Sequence, residues 1–281
     1  MIRKLIDIFF YIVTAICTLI AIFILYNVVA FIISNGLPPL HQQLVGLSEA
    51  EILELDKLTP MIVSTLLLTG LTLLLLLPFA ISAAIYLHEY ARGGLLAQLI
   101  RSSVQTLASI PSIVYGLFGM LIFVRLAGFG MSLLAGASTL AVMLIPIIMT
   151  QTENALGQIP NSYREGSASL GATKFETIVT IILPGALPGI FVGVLLAIGR
   201  ILSESAALLF TVGTFVRMPI NRETGLLSVM EAGTSLTIRA LIEFKEYGNL
   251  EAAAAIGVIT VGVVIGLNLL SKAVYFWKLS D

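Results

Sequence analysis

The sequence predicts an all-α, polytopic membrane protein, and three observations support that prediction. Of its 281 residues, 58% are hydrophobic and only 11% are charged, whereas a soluble domain usually has about 25% charged residues. The mean hydropathy is +1.04. The apolar residues are also gathered into runs of about 20 residues or more, which is the length that crosses the hydrocarbon core as a helix.

Six such runs predict six transmembrane helices. They are Leu5–Ile33, Met61–Tyr86, Val104–Leu126, Met131–Thr150, Pro184–Thr214 and Leu250–Trp277. The first run is longer than the apolar core of a signal peptide and lacks a small-residue cleavage site, so we expect it to be retained as an anchor. We therefore divide the chain into an N-terminal anchor with an external loop, residues 1–60, and a transmembrane domain, residues 61–281.

Loop charges predict a multi-pass protein of the cell membrane with both termini in the cytoplasm. The loops assigned to one side carry basic residues, among them Arg101, Arg164 and Lys174, while the first loop on the other side is acidic around Glu51. Positively charged loops tend to stay in the cytoplasm. The last external segment, residues 213–249, also carries basic residues, and it weakens this asymmetry without reversing it.

Composition and motif spacing exclude several functional classes. A formal net charge of −1 offers no basic surface for nucleic acid, and the single cysteine, Cys17, provides neither a disulfide framework nor a cysteine metal site. Residues 166–173 have the glycine spacing of a P-loop, but Ala172 stands where the phosphate-binding lysine is required. The segment His88–Arg92 has an arginine where a zinc protease needs its second histidine. We therefore expect no catalytic residue, no metal site and no cofactor.

The loop between the fourth and fifth runs predicts a helix, a turn and a second helix. Ser162 and Glu165 have the spacing of a capping box, and so do Thr173 and Glu176. Between these two helix starts, Gly171 suits the left-handed position that ends a helix. The loop is therefore predicted to be a structured element of the cytoplasmic side.

The fifth run contains two opposite charges, Arg200 and Glu204, one helical turn apart. An arginine within the hydrocarbon costs about 2.5–3.5 kcal/mol on insertion scales, so such residues persist mostly where they face a bundle interior or a water-filled path. We interpret the pair as part of a substrate pathway. The alternative interpretation is a purely structural ion pair.

One face of the fifth run combines small and polar residues. The small residues recur at four-residue spacing, which lets another helix approach closely; they are Gly185, Gly189, Gly193 and Ala197. On a continuous helix the same face continues into the polar residues Arg200, Ser203, Glu204 and Thr211. We expect close packing along the first part and a cavity lining along the second, unless the hydroxyls bond to their own helix backbone.

The structured loop, residues 153–184, resembles the EAA loop of ABC-importer permeases. That pattern is Glu-Ala-Ala, then Gly, then Ile-x-Leu-Pro, and here it is matched by Glu165-Gly-Ser, Gly171 and Ile181-Ile-Leu183-Pro184. Gly and Ser replace the two alanines. The resemblance implies that an ATPase subunit docks on this loop and couples through Glu165, Gly171, Ser162, Thr173, Leu183 and Pro184.

Three further segments resemble the phosphate-specific members of these permeases. They are Ala84–Ala91, Ile110–Gly119 and Gly199–Thr211. The residues after Glu204 are similar to the A-type (PstA-like) subunit, in which Thr-Ala-Pro usually follows that glutamate, whereas this sequence has Ser205-Ala-Ala207.

The resemblance covers residues 61–281 and implies a type I importer-permease (MetI-like) fold. It further implies a permease subunit for inorganic phosphate that pairs with a C-type permease subunit, an ATPase dimer and an external phosphate-binding protein in the lipid bilayer. ATP hydrolysis would belong to the separate ATPase subunits. The alternatives are a permease for molybdate or sulfate, or the C-type subunit; the failed motifs and the EAA loop disfavour a membrane enzyme or a sensory protein.

Overall fold

The computed structural model describes residues 2–44, 55–91, 93–220 and 227–280, and these are helical along most of their length. The acidic residues around Glu51 that entered the orientation argument lie outside the described residues. The α-helices, in chain order, are α1 (Ile2–Leu44), α2 (Leu55–Ile85), α3 (Leu95–Ala108), α4 (Ser112–Gly119), α5 (Leu133–Gly157), α6 (Asn161–Ser169), α7 (Lys174–Thr177), α8 (Leu183–Ser203), α9 (Ala206–Thr211), α10 (Leu236–Lys245) and α11 (Leu250–Ser280).

Three π-helical turns extend these helices. Tyr86–Tyr90 continues α2, Met120–Leu126 continues α4, and Ile178–Ile182 joins α7 to α8. Such turns often mark functional positions, because the backbone there departs from regular α-helical pairing. The turn Ile178–Ile182 lies inside the EAA loop, and the turn Tyr86–Tyr90 contacts that loop through Glu89.

Among the described residues, five helices are long and apolar enough to cross a membrane. They are Ile6–His41, Leu58–Tyr90, Leu133–Gly157, Lys174–Ser203 and Leu250–Ala273. Leu95–Ala108 and Ser112–Leu126 make a sixth candidate if they count as one span, although they are bent by 101° at their junction. The polytopic, all-α class is confirmed.

The third predicted span, Val104–Leu126, is wrong as a single helix. α3 ends at Ala108, and α4 begins at Ser112, directly after Pro111. A proline disfavours helical backbone in the residue that precedes it. Pro111 therefore indicated the break, but the residues on both sides of it are apolar, so hydropathy predicted a single span.

The fifth predicted span, Pro184–Thr214, is also wrong as a continuous helix. α8 ends at Ser203, and Glu204 has an extended backbone with φ −81° and ψ 127°. The Glu204 carboxylate accepts the N–H of Ala207 at 3.2 Å, and its carbonyl accepts the Thr237 hydroxyl at 2.9 Å. These hydrogen bonds, one local and one from a distant segment, replace the helical ones.

The described chain divides into two compact units. One contains α1 and residues 240–261, and the other contains residues 55–239 and 262–280. In the first unit, a Cβ added at Gly36 would lie 2.5 Å from the carbonyl oxygen of Ala254, so the glycine permits the close approach of α1 to α11. The large apolar side chains along α1 are exposed, as expected of a helix that faces lipid.

The second unit is built around α5. Two thirds of its membrane-candidate window is buried, and α2 and α8 pack along it. One apolar cluster joins Leu87, at the end of α2, to Ala97 of α3 and Met149 of α5. Another joins Leu156 of α5 to Ile182, just before α8. These two clusters pack together the ends of α2 and α5 and the start of α8, which lie at the EAA loop.

The small-residue stripe of α8 lies against α5. At Gly185, Gly189 and Gly193, an added Cβ would lie 3.0 Å or less from a side chain of residues 151–159. Ala197 is fully buried. The close helix approach predicted from four-residue spacing is therefore present, and a larger side chain at these positions would push α8 away from α5.

Candidate functional site

The two charges predicted for the pathway form an ion pair. Arg200 Nη2 lies 3.2 Å from Glu204 Oε2. The Glu204 side chain is 4% exposed, whereas that of Arg200 is 48% exposed. The carboxylate is therefore a buried anchor, and about half of the guanidinium side chain lies at a surface of this chain.

Chain geometry places this pair at the end of a span. Arg200 belongs to the last turn of α8, where the helix dipole favours a cation. Glu204 follows as the residue after the helix, held by Ala207 and by Thr237. The predicted fifth run is two helices with a break at Glu204, so the pair lies at this break and not within one continuous helix.

Arg200 also borders a pocket of about 170 Å³ between α8, α5 and the bent α3–α4 segment. Most of the residues that line it are apolar, including Leu107, Met143 and Pro146, but polar and apolar atoms both contribute to its exposed surface. Tyr115 lies in the same lining, and its hydroxyl donates to the Leu107 carbonyl at 2.8 Å. A guanidinium at the edge of a pocket with polar surface is an arrangement suited to a small anion.

The two hydroxyls predicted for the pathway have different positions. Ser203 is exposed, and its hydroxyl donates to the Arg200 carbonyl at 3.1 Å. Thr211 is fully buried in α9, and its hydroxyl donates to the Ala207 carbonyl at 3.1 Å. The break at Glu204 removes Thr211 from the face that carries Arg200. Both hydroxyls bond to their own helices, which is the alternative that the sequence left open.

In the EAA loop, the second predicted helix start is confirmed. Thr173 Oγ1 accepts the N–H of Glu176 at 3.3 Å, and the Thr173 N–H donates to Glu176 Oε2 at 2.7 Å. The two bonds make a capping box. α7 therefore begins where the sequence placed it.

The turn between α6 and α7 is also confirmed. Gly171 has φ +87°. Its N–H donates to the Ala168 carbonyl at 3.0 Å, and the N–H of Ala172 donates to the Ser167 carbonyl at 3.2 Å. This pair of bonds is a Schellman motif, in which a left-handed residue closes the helix end.

The first predicted helix start is wrong. α6 begins at Asn161, and Pro160 occupies the capping position without a side-chain bond. A proline suits the start of a helix because its φ is fixed and it has no N–H to leave unpaired. Ser162 therefore lies inside the first turn, and Glu165 is exposed on the following one. The coupling roles expected for both residues stay predictions.

The remaining loop positions expected to couple lie at the start of α8. Leu183 is half-buried against the cluster that contains Leu156 and Ile182. Pro184 is exposed at the second residue of α8, directly after the π-helical turn Ile178–Ile182. The loop therefore ends in a packed leucine and an exposed proline.

The outer side of the loop presents large apolar side chains. Leu170 is 90% exposed, and Tyr163 and Phe175 are more than half exposed. Large exposed apolar side chains on an otherwise polar loop are typical of a protein–protein contact. These three residues were not singled out from the sequence, although each lies inside the EAA loop.

Sequence analysis also missed a buried ion pair between the loop and α2. Arg164 Nη2 lies 2.7 Å from Glu89 Oε1, with side chains 15% and 3% exposed. His88 Nδ1 lies 3.0 Å from the same carboxylate oxygen. The sequence analysis gave none of these residues a role of its own, and 75 residues separate Glu89 from Arg164.

The comparisons with known proteins begin with a family model. The model described as "Binding-protein-dependent transport system inner membrane component" matches residues 76–277. That range contains the EAA loop, the Glu89–Arg164 pair and the Arg200–Glu204 pair.

Individual relatives and a solved structure extend this result. The chain is 33% identical over 266 residues to the phosphate transport system permease protein PstA of Haemophilus influenzae, covering 94% of this chain and 91% of the relative. It is 35% identical over 208 residues to the probable phosphate transport system permease protein PstA of Methanocaldococcus jannaschii, covering 73% and 72%. It also matches a chain of the inward-facing MetNI methionine ABC transporter with a TM-score of 0.61, 21% identity and coverage of 79% and 97%. The last match confirms the predicted importer-permease fold.

Proposed function

Because this chain belongs to the binding-protein-dependent transport system inner membrane component family, we propose that it is a permease subunit of an ATP-driven importer of inorganic phosphate. The permease forms half of the translocation pathway and contributes no catalytic residue. The assignment to phosphate rests on two relatives whose names specify phosphate transport. Each is at least 33% identical to this chain, and the match spans at least 72% of the relative's length.

The arrangement of Arg200 supports an anionic substrate. A guanidinium has a planar fork of donors that can bind two oxygens of one oxyanion, and it stays charged at low dielectric. Glu204 holds Arg200 from one side at 3.2 Å and leaves much of its side chain exposed. Glu204 compensates the arginine between transport events and competes with the anion for it, which favours release.

The alternative substrates are molybdate and sulfate. They are tetrahedral oxyanions like phosphate, and one arginine distinguishes among them only coarsely. The relatives named for phosphate favour phosphate over both. The same relatives are PstA proteins, which favours the A-type subunit over its C-type partner.

The partners follow from the family and from the EAA loop. A C-type permease subunit completes the pathway, an external phosphate-binding protein delivers the ion, and two separate ATPase subunits hydrolyse ATP. The ATPase docks on the face formed by Tyr163, Leu170 and Phe175, because these apolar side chains project from a rigid, capped turn. Glu165, on α6, adds a charge beside that face.

The orientation proposed is that of a multi-pass protein in the cell membrane with both termini and the EAA loop in the cytoplasm. The test uses a Cys17→Ala background with one added cysteine, at Leu170 or at Phe215. Both positions are exposed. An impermeant thiol reagent should label Phe215→Cys from outside the cell and Leu170→Cys only in inverted vesicles. Labelling of both from the same side would refute the orientation.

The experiment that tests the function is uptake of labelled phosphate into proteoliposomes that contain this subunit with its C-type, ATPase and binding-protein partners. Uptake should require ATP and the binding protein, and unlabelled phosphate should compete better than molybdate or sulfate. Preferential uptake of another oxyanion would replace phosphate as the substrate. An assembled complex that moves none of the three ions would overturn the proposal.

A further inference from the structure

The end of α2 holds both helices of the EAA loop through one residue, Glu89. This residue lies in the π-helical turn Tyr86–Tyr90 and is 4% exposed. A buried carboxylate is retained only where paired charges and hydrogen bonds compensate its lost hydration. Its contacts therefore indicate what the site is built to hold.

The first contact is with α6. Arg164 Nη2 and Nε donate to the Glu89 carboxylate at 2.7 and 3.2 Å. The same guanidinium donates to the carbonyls of Leu156, in the last turn of α5, and Ile159, just after it, at 3.1 and 2.8 Å. Arg164 thus joins α6, the end of α5 and the end of α2 in one network.

The second contact is with α7. The ammonium of Lys174, the first residue of α7, donates a hydrogen bond to the backbone carbonyl of Glu89. The same ammonium lies 4.7 Å from the centre of the Tyr90 ring, within the range of a cation–π contact. Both helices of the loop, α6 before Gly171 and α7 after it, are therefore bound to the π-helical turn Tyr86–Tyr90.

The two loop helices also bind each other. The hydroxyls of Ser167 and Thr177 are 2.8 Å apart and buried. Together with the Schellman turn and the capping box, this contact makes α6 and α7 one stiff element. A displacement of that element would be carried to α2 through Glu89.

The far part of α2 contacts the segment that holds Glu204. Thr65 Oγ1, near the start of α2, accepts the N–H of Leu236 at 3.1 Å. The next residue, Thr237, donates to the Glu204 carbonyl at 2.9 Å. α2 therefore connects the EAA loop at one end to the Arg200–Glu204 site at the other by contacts that are all within one compact unit.

We propose that Glu89 is a positioning residue that ties the EAA loop to α2, so that movement of the docked ATPase reaches the Arg200–Glu204 site through α2. This inference rests on the proposed docking of an ATPase on the loop. In this inference the Glu89–Arg164 pair couples the loop to α2; the alternative is that the pair only stabilises the fold.

The test compares Glu89→Gln and Arg164→Gln with a control, Glu231→Gln, in the complete complex in nanodiscs. Glu231 also pairs with an arginine, Arg217, at 3.1 Å, but that pair lies outside the EAA loop. The first measurement is hydrogen–deuterium exchange of residues 161–177, and the second is the number of ions transported per ATP hydrolysed.

With Glu89→Gln and with Arg164→Gln, we expect residues 161–177 to exchange about tenfold faster, and transport per ATP to fall about tenfold. ATP hydrolysis itself should continue, and Glu231→Gln should match the original protein in both measurements. If the pair only stabilises the fold, the variants would lower the amount of complex, while the complex that assembles would keep the original ratio. That outcome would overturn the inference.

A second variant covers the case in which loss of the buried pair prevents assembly. Lys174 is exposed, so Lys174→Met keeps its packing stem and removes only the second tether. We expect transport per ATP to fall by about two- to threefold. If the Glu89 and Arg164 variants do not assemble and Lys174→Met has an unchanged ratio and unchanged exchange, the inference is wrong.

The exchange measurement separates this inference from the proposed function, because it needs no transported ion. Faster exchange in Glu89→Gln, in a complex whose original form takes up no phosphate, would uphold the tether and refute the substrate. Unchanged exchange and an unchanged ratio, in a complex that does take up phosphate, would refute the tether and uphold the function.

Discussion

Two arginine–carboxylate pairs of this permease differ in how much of the arginine is already engaged. Arg164 is 15% exposed and donates to the Glu89 carboxylate and to backbone carbonyls at the end of α5. Arg200 is 48% exposed and meets Glu204 through one nitrogen at 3.2 Å. Both glutamates are almost fully buried.

We propose that the same two side-chain types form a tether in one pair and a binding group in the other. An arginine whose donors are directed into protein acceptors fixes the elements around it, because each bond constrains the planar fork. An arginine held on one side by a buried carboxylate keeps donors for an ion that arrives from the other side. We therefore assign a positioning role to Glu89–Arg164 and a substrate role to Arg200.

The largest effect should follow from removing the binding group. Arg200→Gln should lower phosphate uptake at least about 100-fold, as expected when one partner of a close charge pair is removed from a binding site. Arg200→Lys keeps the charge but loses the fork, so uptake should be partial. Assembly should persist in both variants, since Glu204 still accepts the Ala207 N–H. Uptake and the amount of purified complex are measured together.

Arg217 provides the matched control for this prediction. It also pairs with a glutamate at 3.1 Å, and its side chain is 42% exposed, but its partner is Glu231 and it does not line the pocket of Arg200. Arg217→Gln should keep uptake within about twofold, the range of a surface pair. A similar loss in both variants would show that the effect of Arg200→Gln is not specific to the pathway.

A smaller effect should follow from bending the loop that the tether holds. Gly171→Val places a β-branched residue at φ +87°, at a cost of about 1–2 kcal/mol or more. We expect about tenfold less ATPase to co-purify with the permease, and a similar loss of uptake. Gly166→Val is the control, because Gly166 is exposed in α6 and an added Cβ meets nothing within 4 Å. Equal ATPase binding in the two variants would contradict the rigid-turn account.

The smallest effect should follow from disturbing the packing of α8 against α5. A Cβ at Gly189 would lie 2.6 Å from the Ala155 Cβ, so Gly189→Ala should destabilise the permease by about 1–3 kcal/mol. The thermal midpoint of the detergent-solubilised complex should fall by a few degrees, while uptake per complex is kept. Gly199→Ala meets nothing within 4 Å and should leave the midpoint unchanged or raise it. Opposite results at the two glycines would contradict the packing assignment.

Much of the fold could be predicted because its information is local. Long apolar runs locate the spans, and the Thr173 box with Gly171 locates one helix start and one helix end. Four-residue spacing locates the face of α8 that packs on α5. Each of these patterns lies within one stretch of sequence, and each depends on backbone geometry that neighbouring residues determine.

The errors arose where single prolines or side-chain hydrogen bonds interrupt a helix that hydropathy or a capping pattern predicted. The break at Glu204 depends on a bond from Thr237, 33 residues away, and hydropathy cannot detect it. The bend before α4 depends on Pro111, and the displaced start of α6 depends on Pro160; both residues were visible but outweighed by stronger patterns around them. The Glu89–Arg164 pair joins segments 75 residues apart, so no local pattern could reveal it.

The most direct test of the central claim, that Arg200 serves transport and not only folding, is phosphate uptake by the double variant Arg200→Gln/Glu204→Gln. Removing both charges leaves no unpaired ion, so assembly should equal that of the original complex. If Arg200 contacts phosphate in transit, uptake in the double variant should remain as low as in Arg200→Gln. Full recovery of both assembly and uptake would show that the two residues form only a structural pair, and it would contradict the account.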